Sequence, residues 1–250
     1  MDARPAKIQG PRRARARGWL LTCLAAIATL VSLVRLDGGG EAVRSAGHAL
    51  MQAAPLAAAW LVSAFGLGSA LCARLGMTGL ATRFALGIAT MLAVDQWCGT
   101  AGLFGLGVWA PLAVLAPGWW LLARARLPAT AEGAASWASL AWGAAAGAML
   151  AAALVPAGYM WSTEFGGYDA LSYHLQVPRE WLLAGSMRPL PHLAYAGLPN
   201  FVEGAFMHLM SLRADVREAA IACQLLHAAM AMVAAATLRE AVRGVGGNAI

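Results

Sequence analysis

This sequence is poor in charge: Asp, Glu, Lys and Arg together make up 12% of its 250 residues, about half the share found in an average soluble domain. With 60% hydrophobic residues, the chain lacks the polar groups needed to cover a water-facing surface, which excludes an ordinary soluble domain and implies an integral membrane protein. It has only four cysteines, Cys23, Cys72, Cys98 and Cys223, each in or beside an apolar run and without paired spacing. That argues against a disulfide framework and a cysteine-based metal site, and leaves packing as their role. No repeat of fixed period is visible. The net charge of +6 is not a nucleic-acid footprint, because the basic residues concentrate in the amino tail and short loops, where they report topology instead.

What is abundant is alanine, leucine and glycine in long runs. A helix needs about twenty largely apolar residues to cross the hydrocarbon core, with a lower limit near seventeen. Gly18 to Val34, Pro55 to Ala73, Ala81 to Trp97, Leu103 to Leu122, Ser136 to Val155 and Ala219 to Leu238 meet that requirement. The expected fold class is therefore all-α: a polytopic membrane protein of about six transmembrane helices. It divides into a basic tail (1–17), a four-span amino-terminal region (18–135) and a second membrane region (136–250) with a large loop, 161–218. An amino-terminal signal peptide, with Trp19 to Val34 as its apolar core, is the competing reading of the start; it leaves the later spans unchanged.

Arginine sets the orientation, because basic loops resist translocation. Arg4, Lys7, Arg12, Arg13, Arg15 and Arg17 put the tail in the cytoplasm, and counting spans from there collects Arg74, Arg83, Arg124, Arg126, Arg239 and Arg243 on the same side. The opposite side receives only Arg35, Arg44, Arg179, Arg188, Arg213 and Arg217. The expected location is the inner (cytoplasmic) membrane, multi-pass, with loop 161–218 extracytoplasmic. Phe201 to Leu212 is too short to span and is expected to lie in the interface.

The loop carries the one long polar stretch, Tyr168 to Asn200. Asp169 precedes a run in which Leu171 and Leu175 share one helical face while Tyr173, Gln176 and Glu180 share another. Pro178 breaks that run or begins a second short helix, which stops at Gly185, with Trp181 expected as a headgroup-level anchor. Met187 to Asn200 is an irregular arm punctuated by Pro189, Pro191 and Pro199 and containing Tyr195. Asn200 can cap the helix that follows.

The order of these features resembles the first external loop of the GT-C fold membrane glycosyltransferases, closest to the protein O-mannosyltransferase and lipid A aminoarabinose transferase clan and to its bacterial members of unassigned function. Asp169, Tyr173, Gly185, Tyr195, Pro199 and the run from Ala219 carry the likeness, over roughly 136–238. Where the family usually pairs two acidic residues, this chain has Asp169 followed by Ala170, and its Lys-Pro-Pro arm piece is reduced to Leu198-Pro199-Asn200. Members have many more spans, so the chain is expected to be an amino-terminal portion. The resemblance implies an inverting transfer of a sugar from a polyprenyl-phosphate donor to an acceptor on the extracytoplasmic face. Asp169 would then take the acceptor proton or hold a divalent metal ion, against the plainer role of capping the next helix.

Tyr173 and His174 are candidates to orient an acceptor or a phosphate oxygen, with an amphipathic interface pair as the alternative. Arg179 and Arg188 suit the donor phosphate or lipid headgroups; Tyr195 completes the substrate-binding set. His227 and Gln224 read as interhelical hydrogen-bonding residues, and Asp95 as a carboxylate near a span end that reaches the surface. The competing class is a non-catalytic polytopic protein, a transporter or assembly subunit. The absence of mid-membrane charge and of an internal repeat argues against it.

Overall fold

The computed structural model describes residues 11–125, 137–156, 169–213 and 216–246. The start of the amino tail with Arg4 and Lys7, Arg126, and the loop start with Trp161 and Glu164 lie outside them. Regular structure among the described residues is entirely helical. Two helices are long and apolar enough to cross a bilayer: Gly38–Leu75, 38 residues, and Ala219–Gly244, 26 residues, each of mean hydropathy 1.8. Leu20–Leu36 and Trp137–Ala153 are apolar but shorter.

Helix α1 (Pro11–Leu75) contains the first two expected spans and is broken between them at Gly38 and Gly39. Gly39 adopts φ 65°, ψ −146°, a conformation open essentially to glycine alone. The expected loop between those spans is thus helix on both sides of a two-residue break. Helix α2 (Leu80–Thr100) extends the third expected span at both ends. Helix α3 (Trp109–Arg124) begins later than expected. Left-handed glycines at 102 and 107 instead bracket a short 3-10 turn, Leu103–Gly105. Then come α4 (Trp137–Ala153), α5 (Gln176–Ala184), α6 (Phe201–Ser211) and α7 (Val216–Gly244).

The chain forms two compact units, one made of residues up to Arg44 with 129–152, the other of 45–128 with 153–249. In the first, α1 and α4 meet through small residues: a methyl group on Gly143 or Gly147 would overlap the carbonyl oxygen of Thr22 or Ala26. In the second, the same device draws the later part of α1 against α2 and α3. A methyl on Gly68 would strike the Arg83 carbonyl, on Gly87 that of Ala64, and on Gly66 that of Gly118. Small residues at such crossings are how apolar helices associate without a hydrophobic driving force between them. Polar ties reinforce the crossings: Ser63 Oγ donates to the Leu115 carbonyl at 2.9 Å and Trp119 Nε1 to that of Ala59 at 2.9 Å.

Two further contacts position the elements of the second unit. Gly79 precedes α2 and has no side chain to cap it, so a carboxylate from α7 does so. Glu240 accepts from the Ala81 and Thr82 amides at 2.9 and 3.1 Å and from Thr82 Oγ1 at 3.0 Å. A methyl at Gly79 would occupy the place of that carboxylate. Helix α6, expected to lie in the interface, is buried by protein continuously from Glu203 to Met210. The reason is its surroundings: α2, α5, α7 and the 3-10 turn all pack on it. Gln224 on α7 donates to the Val155 carbonyl at 3.2 Å, matching its expected hydrogen-bonding role.

Candidate functional site

The polar loop begins with one turn of π-helix, Ala170–His174, in which the Leu175 amide reaches back five residues to the Ala170 carbonyl at 2.9 Å. Such turns insert an extra residue and recur at functional sites. Asp169, exposed at its start, makes no capping bond. In place of the expected cap, the Asp169 carboxylate lies near the Tyr173 phenol. Desolvation first, then Asp169 and the other nearby negative charges, push the phenol above its ordinary range.

His174 turns toward α6. Its Nδ1 lies 2.6 Å from Oε1 of Glu203, with the histidine side chain 39% exposed and the glutamate 8%. The Tyr173 ring sits between two partners, 4.2 Å from the His174 ring and 4.2 Å from Tyr195, stacked on the latter at 19°. Tyr195 is delivered by the arm, on a 3-10 turn spanning Ala194–Gly197. Asn200 does not cap α6 as expected; its amide donates instead to the carbonyls of Tyr195 and Leu198 at 3.1 and 2.7 Å, which fixes the arm's return.

Helix α5 is the platform beneath. It ends at Gly185 in the left-handed conformation, φ 79°, as the sequence led one to expect. Trp181, expected at headgroup level, is buried instead. Its Nε1 donates to the Arg188 carbonyl at 2.7 Å and its ring joins Phe104, Val177, Met187, Leu190 and Met207 in an apolar core. Gln176 Nε2 donates to Glu180 at 2.6 Å, and His192 Nε2 lies 2.9 Å from the other Glu180 oxygen, tying the arm to α5. The Gln176 bond foremost, with His192 behind it and partial burial opposing, holds the Glu180 carboxyl below its usual range.

Asp169, Tyr173, His174 and Tyr195 thus form one cluster with Glu203, whereas Arg179 and Arg188 are exposed and their side chains do not enter it. The Arg179 charge acts on Glu180, and Arg188 contributes its backbone carbonyl. Glu203 is the residue that sequence reasoning missed. The available signal was an acidic side chain three residues after Asn200, a spacing that reads as a capping box. Among the described residues no group of three histidine, cysteine or carboxylate side chains is placed to hold a metal ion, and Glu203 is paired with His174.

A second polar group lies deeper. Asp95, expected to reach the surface, is fully buried because two donors meet it there. Trp60 Nε1 donates to Oδ2 at 2.7 Å and His208 Nδ1 lies 2.7 Å from Oδ1. His208 Nε2 lies 3.1 Å from the Pro111 carbonyl, and the ring stacks on Phe104 with centroids 4.6 Å apart. A carbonyl can only accept, so Nε2 carries a hydrogen, and one proton is shared along the Nδ1 to Oδ1 axis. The network joins α1, α2, α6 and the start of α3, and α6 carries both His208 and, five positions earlier, Glu203.

No family model, curated protein or solved structure matches this chain. The functional reading therefore rests on the cluster itself.

Proposed function

We propose that this chain belongs to a membrane glycosyltransferase that moves a sugar from a polyprenyl-phosphate donor to an acceptor on the extracytoplasmic face. In this reading it crosses the cytoplasmic membrane about six times with its amino terminus inside. The single observation that supports it is the convergence of Asp169, Tyr173, His174 and Tyr195 with a buried second carboxylate, Glu203. Two carboxylates, a histidine and stacked phenols suit hydroxyl-bearing ligands: aromatic faces pack against sugar C–H groups while the polar atoms meet the hydroxyls.

Sugar transfer with inversion requires the acceptor oxygen to attack the anomeric carbon as the bond to phosphate breaks, and a group must take the acceptor's proton. Asp169 is the exposed carboxylate available for that step, with the Tyr173 hydroxyl near it. A positioned base of this kind contributes about a hundredfold to ten-thousandfold. Arg179 and Arg188, exposed beside the arm, are available to the donor phosphate, which guanidinium groups bind through paired hydrogen bonds.

The test is Asp169→Asn in the full-length protein. Asn keeps the shape and removes the charge, so transfer from an undecaprenyl-phosphate-linked sugar is expected to fall roughly a hundredfold or more at unchanged membrane abundance. Transfer at the parental level overturns the assignment.

A further inference from the structure

The pairing of His174 with Glu203 decides more than where the ring sits. A carboxylate only accepts, so with Glu203 ionised the contact at 2.6 Å requires the hydrogen of a neutral imidazole to be on Nδ1. The lone pair is then on Nε2. The side chain bearing it is 39% exposed, beside the Tyr173 and Tyr195 rings. Glu203 itself cannot turn away to solvent: it is buried in α6, a helix that is also held at His208 by the Asp95 network.

We propose that Glu203 sets His174 as a hydrogen-bond acceptor, so that this corner of the site selects a ligand hydroxyl and not a phosphate oxygen. This deepens the sugar-transfer reading and rests on it for the identity of the ligand; the pairing stands without it. A phosphate oxygen needs a donor, which Nε2 in this tautomer is not. It would also meet the negative charges of Asp169 and Glu203 in the same cluster. A sugar hydroxyl donates, and the sugar ring can lie along the exposed Tyr195. Glu203 is therefore a positioning residue, acting through His174.

Diethylpyrocarbonate modifies unprotonated imidazole nitrogens, and mass spectrometry reads each histidine separately. In the unaltered protein His174 is expected to react faster than His192, although His192 is the more exposed at 64%. The accessible Nε2 of His192 is already engaged by Glu180, which leaves the more hindered Nδ1. Glu203→Leu, which removes the acceptor that Gln would retain, is expected to slow His174 several-fold and leave His192 unchanged, which also reports that the arm remains folded. Glu203→Asp, which keeps the charge, is expected to restore most of the rate. Methyl mannoside is expected to protect His174, and inorganic phosphate at equal concentration is not. A His174 rate below that of His192, or one indifferent to Glu203→Leu, overturns the pairing. Protection by phosphate, or by neither probe, overturns the hydroxyl assignment. No sugar transfer by the parental protein overturns the transfer reading but leaves the His174 rates as described here, so the two failures are distinguishable.

Discussion

Replacing Asp95 separates charge from hydrogen bonding in the buried network. Asp95→Ala leaves two groups unmet, the Trp60 indole N–H and the His208 Nδ1, in a place without solvent access. Each unsatisfied buried group costs about 1–3 kcal/mol, and one-sided removal of a buried pair costs about 3–5 kcal/mol. At about 2–4 °C per kcal/mol for a chain of this size, the midpoint should fall by roughly 6–20 °C. Asp95→Asn behaves differently because every partner can be kept: the Asn oxygen accepts from Trp60, its amide donates to a deprotonated His208 Nδ1, and Nε2–H still faces the Pro111 carbonyl. Its cost should stay under about 1 kcal/mol, the scale of one neutral hydrogen bond. The assay is thermal unfolding of purified protein in one detergent, followed by loss of monodispersity, for the parent and both variants. If Asn and Ala lower the midpoint equally, the network is held together by charge and the donor arithmetic is wrong. If neither lowers it, Asp95 does not bridge Trp60 and His208 at all.

Gly87→Leu, which drives a side chain into the Ala64 carbonyl, should force the two helices apart and cost at least about 1–3 kcal/mol, read as a lower unfolding midpoint. The Glu180 clasp should be sensitive to acid. Its carboxyl is depressed by Gln176 and His192, so its contribution is present near neutrality and is lost as pH falls below the ordinary carboxylate value through the lower folded one. Glu180→Gln should therefore be less stable than the parent near neutrality and converge with it in acid; a gap that persists unchanged in acid would refute the linkage.

Helical class, the short helix ending at Gly185 and the irregular arm were legible because they follow from local rules: apolar length, a left-handed glycine stop, proline punctuation. So was the set Asp169, Tyr173, His174 and Tyr195, whose members lie within one polar stretch. Glu203 and the Asp95 network were not legible, because each depends on partners far along the chain. His174 and Glu203 are separated by 29 positions, and Asp95 and His208 by 113. Asp95 sits near a span end, where escape to the surface is the natural expectation, and only a facing histidine and tryptophan turn it into an interior residue. Trp181 makes the same point in reverse. Its amphipathic ring suits an interface, but a carbonyl seven positions on, at Arg188, supplies the partner that makes burial possible. The delayed start of α3 could be seen in Gly102 and Gly107, whose spacing breaks an otherwise apolar run.

The capping of α2 by Glu240 sets an order of events during synthesis. The amides of Ala81 and Thr82 are made 159 and 158 residues before the carboxylate that receives them. While the chain is being inserted, the first turn of α2 must borrow water or lipid headgroups as temporary partners, and it settles only when α7 arrives. The second helix is thus finished by the seventh, and a ribosome that stalls before residue 240 releases a chain with that helix start still unmet. The glycine at position 79, which keeps the place open for a distant carboxylate, makes completion of the fold depend on completion of translation through α7.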